Sequence, residues 1–130
     1  MIGLDTTALI DFFKNKESIK KLLSNIDEPI VLNQIVYSEL ILGLNPENPN
    51  HKREEEFYDN LFNYFINFNL SFSSCKKARE ILFILKKKGK IIEDTDCLIA
   101  GILLNNGVNK IITKNVKHFQ EINGLKVISY

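Results

Sequence analysis

The chain has 130 residues, a length that suits one domain built around one hydrophobic core. Hydrophobic residues make up 45% and charged residues 25%, with 6 Gly and 3 Pro, a balance that excludes collagenous, low-complexity and disordered classes. Seventeen basic residues against 16 acidic ones leave a formal charge of +1, too small to attract nucleic acid or a membrane surface by bulk charge, so local charge must be read instead.

The chain opens with an apolar run, Ile2 to Leu4, stopped by Asp5, Thr6 and Thr7. Ala8, Leu9, Phe12 and Phe13 then recur at helical spacing, which predicts a strand followed by a helix capped by Thr6 or Thr7, with Asp5 at the strand's carboxyl end. Ile19, Leu22, Leu23 and Ile26 form a second helical stripe, broken by Asp27-Glu28-Pro29, and Ile30 to Leu32 reads as the second strand. Asn33 can cap a helix whose apolar face is Val36, Leu40, Ile41 and Leu44, ending near Gly43, with Glu39 inside it. Residues 51 to 69 read as a helix with Phe57, Tyr58, Leu61, Phe62, Phe65 and Ile66 as core, and Leu70 to Ser73 as a weak third strand. Residues 75 to 88 predict a helix ended by Gly89; residues 97 to 104 are apolar on every side, as in a helix packed on both flanks, with an acidic first turn. Lys110 to Thr113 and Lys126 to Ser129 complete the strands. Alternating strands and helices predict an α/β domain, a central, mostly parallel sheet of four to five strands between two helical layers, with no repeat or linker to divide residues 1 to 130.

Cys75 and Cys97 belong to no CxxC pair or Cys/His cluster and read as reduced, buried thiols. No basic stretch precedes the first apolar residues, and no apolar run approaches the ~18 residues needed to cross a bilayer. The expectation is a cytoplasmic protein with no membrane partner.

In open α/β sheets ligands bind beyond the carboxyl ends of the strands. That rule selects Asp5, Glu39, Asp94, Asp96 and Asn115. Each has a plainer reading: Asp94 can cap its helix, Asp96 can favour the helix dipole, and Glu39 can be a solvated helix residue. Asp5 is the most suggestive, because an acid after a strand is costly to bury without a partner. Carboxylates gathered in one pocket repel unless a cation neutralises them, and oxygen donors favour Mg²⁺, with Mn²⁺ as a substitute. Residues 76 to 90 contain Lys76, Lys77, Arg79, Lys86, Lys87, Lys88 and Lys90 against Glu80 alone. This is either a solvated helix face or a phosphate-attracting rim beside the acids Glu93, Asp94 and Asp96. His51 and His118 stand apart from any nucleophile motif, and neither G-x-S-x-G nor a Walker A sequence is present.

In order, spacing and extent, four segments resemble PIN domains, in particular the small VapC-type ribonuclease toxins of toxin–antitoxin pairs. Gly3-Leu4-Asp5-Thr6-Thr7-Ala8-Leu9-Ile10-Asp11 is similar to that family's L-D-T-[NS]-x-L-I-D, and Ser38-Glu39-Leu40 with Gly43 to its E-L-x-x-G. Asp96-Cys97-Leu98-Ile99-Ala100 resembles D-x-L-I-A-A, with Gly101 replacing the second alanine as a minor change that helix packing can absorb. Thr113-Lys114-Asn115-Val116-Lys117-His118-Phe119 resembles T-[RK]-N-x-x-D-F, with His118 where the family has an acid.

The resemblance implies an endoribonuclease with a PIN-like three-layer α/β/α sandwich. Asp5 and Asp96 hold Mg²⁺ or Mn²⁺, Glu39 joins through water, and Thr6, Thr7 and Asn115 support the site. Asp94 can substitute for the missing fourth acid; the charge run read above, not the resemblance, offers Lys86, Lys87 and Lys88 to RNA. The implied partners are RNA, an antitoxin and a second copy of the chain. Two rivals stand beside this reading. A receiver-like Mg²⁺-binding domain needs an acceptor aspartate after its third strand, and residues 68 to 74 contain none. A catalytically weakened PIN fold that binds RNA or protein is kept open by His118 and Asn115.

Overall fold

A computed structural model describes all 130 residues. Its elements run β1 (Ile2–Leu4), α1 (Thr6–Phe13), α2 (Glu17–Ser24), β2 (Ile30–Asn33), α3 (Gln34–Leu42), α4 (Pro49–Tyr64), β3 (Ile66–Phe68), α5 (Phe72–Lys87), α6 (Asp94–Asn105), β4 (Lys110–Ile112), α7 (Val116–Phe119) and β5 (Lys126–Ile128). The five strands form one sheet in the order β3-β2-β1-β4-β5, and every pairing is parallel. Helices make every crossing between the parallel strands, the last with only the four-residue α7 and a turn.

β1 is central, and its pleat feeds both helical layers. Gly3 faces Leu103 of α6 so closely that a Cβ there would lie 2.8 Å from its methyls. Leu4 points the other way and lines an apolar cavity of about 180 Å³ with Leu9 and Phe12 of α1 and Leu23 of α2. Such alternation is the period-2 consequence of strand geometry. α6 is buried along Cys97, Ile99, Ala100, Gly101, Ile102 and Leu103, matching its uninterrupted apolar sequence.

Several boundaries differ from the sequence reading. α1 is capped by Asp5, whose carboxylate accepts the Ala8 N–H, while Thr6 and Thr7 are its first two residues. The third strand lies at Ile66–Phe68, inside the stretch expected to be helical, and Leu70 to Ser73 instead leads into α5, capped by Ser71. β3 is an edge strand with exposed Ile66 and Asn67, so no alternating burial marks it in the sequence. Cys97 is buried, but Cys75 is exposed.

Gly101 is a closer constraint than a tolerated alanine position. A Cβ there would lie 2.7 Å from the Ser74 carbonyl oxygen and 2.9 Å from the Ala78 nitrogen, both backbone atoms that cannot turn aside. α5 therefore rests on α6 at backbone contact distance, with Ser74 and Ala78 buried at the crossing. Gly101→Ala must push the two helices apart and is expected to destabilise the fold by about 1–3 kcal/mol, measurable as a lowered denaturant midpoint.

Candidate active site

The chain runs outward from β1 to β2 and β3, then returns to the other side of β1 as β4. The carboxyl ends of β1 and β4 therefore form the switch point of the sheet, where connections depart in opposite directions and leave a crevice. Asp5 and Thr113 occupy it. Asp5 follows β1 and donates its N–H to the Ile112 carbonyl at 3.2 Å; Thr113 follows β4 and is fully buried.

Asp5 is held on three sides. Its Oδ1 accepts the Thr7 hydroxyl at 2.7 Å and the Ala8 N–H at 3.0 Å, while its Oδ2 accepts the Thr113 hydroxyl at 2.5 Å. Each hydroxyl is fixed in turn by a backbone N–H: Lys114 donates to Thr7 Oγ1 at 3.1 Å, and Asn115 to Thr113 Oγ1 at 2.9 Å. Thr113 is thus a positioning residue, to which the sequence reading gave no role although it heads the Thr113-to-Phe119 segment. Its signal was its place after β4, opposite Asp5.

Glu39 enters from α3, where its Oε1 accepts the Thr6 hydroxyl at 2.8 Å. Asp96 enters from the first turn of α6, where its Oδ2 stands 2.9 Å from His118 Nδ1. A pocket of about 170 Å³ is bordered by Asp5, Thr6, Thr7, Glu39, Glu93, Asp96, Asn115 and His118, with Ile99 as its one apolar wall. A neighbouring groove of about 260 Å³ shares Glu93, Asp96 and His118 and adds Lys117.

The sequence candidates therefore divide. Asp5, Thr6, Thr7, Glu39, Asp96 and Asn115 come together around the pocket. Asp94 does not: it is exposed, outside the lining, and acts electrostatically on Cys97. Glu93 takes the place expected of Asp94. It precedes Asp96 by three residues, which brings the two side chains to one side, whereas Asp94 is two residues away and points elsewhere. Lys86, Lys87 and Lys88 are exposed at the C-terminal end of α5, where they suit the helix dipole, and none borders the pocket.

Electrostatically, Asp5 and Asp96 stand apart from the other buried acid. Burial pushes Asp5 above the usual carboxylate range, against the hydrogen bonds from Thr113, Thr7 and Ala8. Burial also pushes Asp96 up, opposed by His118 and reinforced by Glu39 and Glu93. Asp11, equally inaccessible, behaves differently: its burial is outweighed by the Tyr130 hydroxyl and by Lys16, with Lys114 adding to them, and its carboxyl is held low. Lys16 lies 3.0 Å from Asp11 and Lys114 3.9 Å. No Lys or Arg pairs with Asp5, Glu39, Glu93 or Asp96.

This oxygen-rich, cation-poor pocket has the donor chemistry of a hard divalent ion. No three acidic, histidine or cysteine side chains converge tightly enough to form a ready cage, so an ion there would take one or two carboxylates directly and keep water for the rest, the habit of Mg²⁺. A larger open cavity, about 600 Å³, shares no residue with the pocket, and its acid, Asp59, accepts the Tyr37 hydroxyl at 2.5 Å.

The raised carboxyl of Asp96 carries a sign for stability. In ion-free solution the folded state holds its proton to a higher pH than the unfolded chain, so stability falls as pH rises from about 4 through the raised folded value. Asp96→Asn keeps an oxygen acceptor for His118 and removes the charge. In chelator-treated buffer at pH 7 to 8 the variant is expected to be more stable than wild type, with the difference shrinking as pH falls toward about 4 in denaturant titrations.

The PIN domain family model matches residues 2–125. Among solved structures, VapBC2 from Rickettsia felis, bound to a DNA fragment from its promoter, matches at 23% identity and a TM-score of 0.85, over 100% of this chain and 99% of that one. VapBC-1 from nontypeable Haemophilus influenzae matches at 29% identity and 0.78, over 99% and 98%. VapC20 from Mycobacterium tuberculosis, a sarcin-ricin loop cleaving toxin, matches at 10% identity and 0.69, over 97% and 99%. No curated protein sequence matches. With the family model covering almost the whole chain, and its fold and acidic crevice in place, this chain belongs to the PIN domain family.

Proposed function

We propose that the chain is a divalent-metal-dependent endoribonuclease and the toxin of a toxin–antitoxin pair. The observation that carries this reading is the gathering of Asp5, Glu39, Glu93 and Asp96 at the switch point of the sheet without a lysine or arginine to neutralise them. Its fold matches to VapBC pairs and to an RNA-cleaving VapC support the substrate class and an antitoxin partner.

In this reading Asp5 and Asp96 hold Mg²⁺ or Mn²⁺, and Glu39 reaches it through water. When bound, the ion supplies a water of lowered pKa and offsets charge growing on the phosphate oxygens. The chain's own groups set the geometry. Thr7, Ala8 and Thr113 fix both oxygens of Asp5, which fills Oδ1 and leaves one acceptor site, on Oδ2, for the ion. Thr6 restrains Glu39, leaving Oε2 free to accept from a water. Asn115, at the rim, offers an amide to orient water or a phosphate oxygen. Lys117 in the adjoining groove, with Lys86, Lys87 and Lys88 further off, draws the RNA backbone to a site whose acids alone would repel it. A second copy of the chain completes the proposed assembly. No helix is long and apolar enough to cross a membrane; the location proposed with this function is cytoplasmic.

The test is cleavage of RNA by purified protein in Mn²⁺ and in Mg²⁺. Asp5→Asn, Glu39→Gln and Asp96→Asn, each folded by circular dichroism, are expected to lower the rate by about a hundredfold or more, and a chelator should abolish it. Wild-type rates in the folded variants would remove these acids from the site. RNA binding without cleavage, in any divalent ion, would establish the binding-module reading instead.

A further inference from the structure

The PIN pattern places an acid at position 118, and this chain has an imidazole there. His118 leaves the fourth carboxylate to Glu93 and sets a nitrogen beside Asp96. Its Nδ1 lies 2.9 Å from Asp96 Oδ2. That is a hydrogen-bond length, and it is also the distance between neighbouring ligands of a six-coordinate ion: two donors about 2.1 Å from the ion and at right angles to it stand about 3 Å apart. Both side chains border the acidic pocket.

We infer that His118 Nδ1 and Asp96 Oδ2 form a nitrogen–oxygen claw, which turns the divalent site proposed above toward first-row transition ions and away from Mg²⁺. The inference rests on the metal-site reading and goes beyond it in donor type and ion selectivity. Without an ion, the ring donates its Nδ1–H to the Asp96 carboxylate, which can only accept. With an ion in the claw, the neutral ring carries its proton on Nε2, and the Nδ1 lone pair faces the same point as the carboxylate. The side chain is 44% exposed, so Nε2–H can meet water and this tautomer leaves no buried donor unpaired. Imidazole suits Fe²⁺, Co²⁺, Ni²⁺ and Zn²⁺, whereas Mg²⁺ prefers oxygen and gives up its waters reluctantly. An aspartate at position 118 would give an all-oxygen pair and lose that discrimination. Glu39 and Glu93, which act electrostatically on Asp96, attract either ion alike and so set affinity rather than selectivity.

Co²⁺ tests this directly, because a coordinated imidazole gives a strongly shifted ring Cδ2–H resonance in proton NMR, one that does not exchange with water. The chain contains only two histidines, His51 and His118, and His51 Nδ1 already accepts the Asn45 N–H. Wild-type protein loaded with Co²⁺ should show the resonance; His51→Gln should retain it, and both His118→Asp and His118→Asn should lose it. Competition calorimetry should find the Co²⁺-to-Mg²⁺ affinity ratio about tenfold or more lower in both His118 variants. Using one variant that adds a charge and one that does not separates donor type from charge, and circular dichroism confirms that both fold. Persistence of the resonance in the His118 variants, or an unchanged ratio, would overturn the claw while leaving the metal-dependent nuclease standing. Failure of wild type to bind either ion would overturn both.

Discussion

Two buried carboxylates, Asp5 and Asp96, face one pocket without a lysine or arginine partner, His118 beside Asp96 being its one basic side chain, and this poorly compensated charge is what the surrounding architecture serves. A lone buried acid shifts its pKa or finds a counter-charge. The fold supplies neither lysine nor arginine, although it has them within reach of the same region. Lys16 and Lys114 are committed to Asp11, one helical turn and a half beyond Asp5 on α1. Asp11 is consequently paired, closely with Lys16 and at longer range with Lys114 in the loop after β4. Asp5 is left with hydroxyl and amide donors, which fix its direction without neutralising it.

The arrangement links strand order to chemistry. Because β4 returns beside β1, the Asp5 and Thr113 segments, more than 100 residues apart, are joined by the Asp5 N–H to Ile112, the Thr113 hydroxyl to Asp5 and the Lys114 N–H to Thr7. α6 runs back toward β4, so its N-terminal turn and Asp96 arrive at the same end of the sheet. Gly101 and Gly3 let α6 lie close against α5 and β1, which limits how far Asp96 can move from Asp5. Packing of the central helix and placement of the acid are therefore one constraint.

Much of this was legible in the residue pattern. β1, β2 and the Asn33 cap coincide with their expected places, since each couples a short apolar run to a strong stop or cap signal. β3 was hidden because Phe65 and Ile66 continue the helical stripe of α4, and an exposed edge strand leaves no alternation of its own. α7 is a single turn, too short for periodicity to register. At the site, three acids in four positions offered Glu93, Asp94 and Asp96 together; which of them share a face depends on helix phase, and Glu93 with Asp96 is the pair three apart. The closeness of Gly101 to α5 lies in a backbone approach between two helices, which no one-dimensional pattern records.

The central claim is that the acids at the carboxyl end of β1, within α3 and at the N-terminus of α6 are complementary to a divalent cation. Anomalous diffraction from crystals soaked in Mn²⁺ tests it most directly. The account predicts a peak inside the pocket bounded by Asp5, Glu39 and Asp96, absent from crystals of Asp96→Asn. A pocket without anomalous density at saturating Mn²⁺, or a peak unaffected by that substitution, would contradict it.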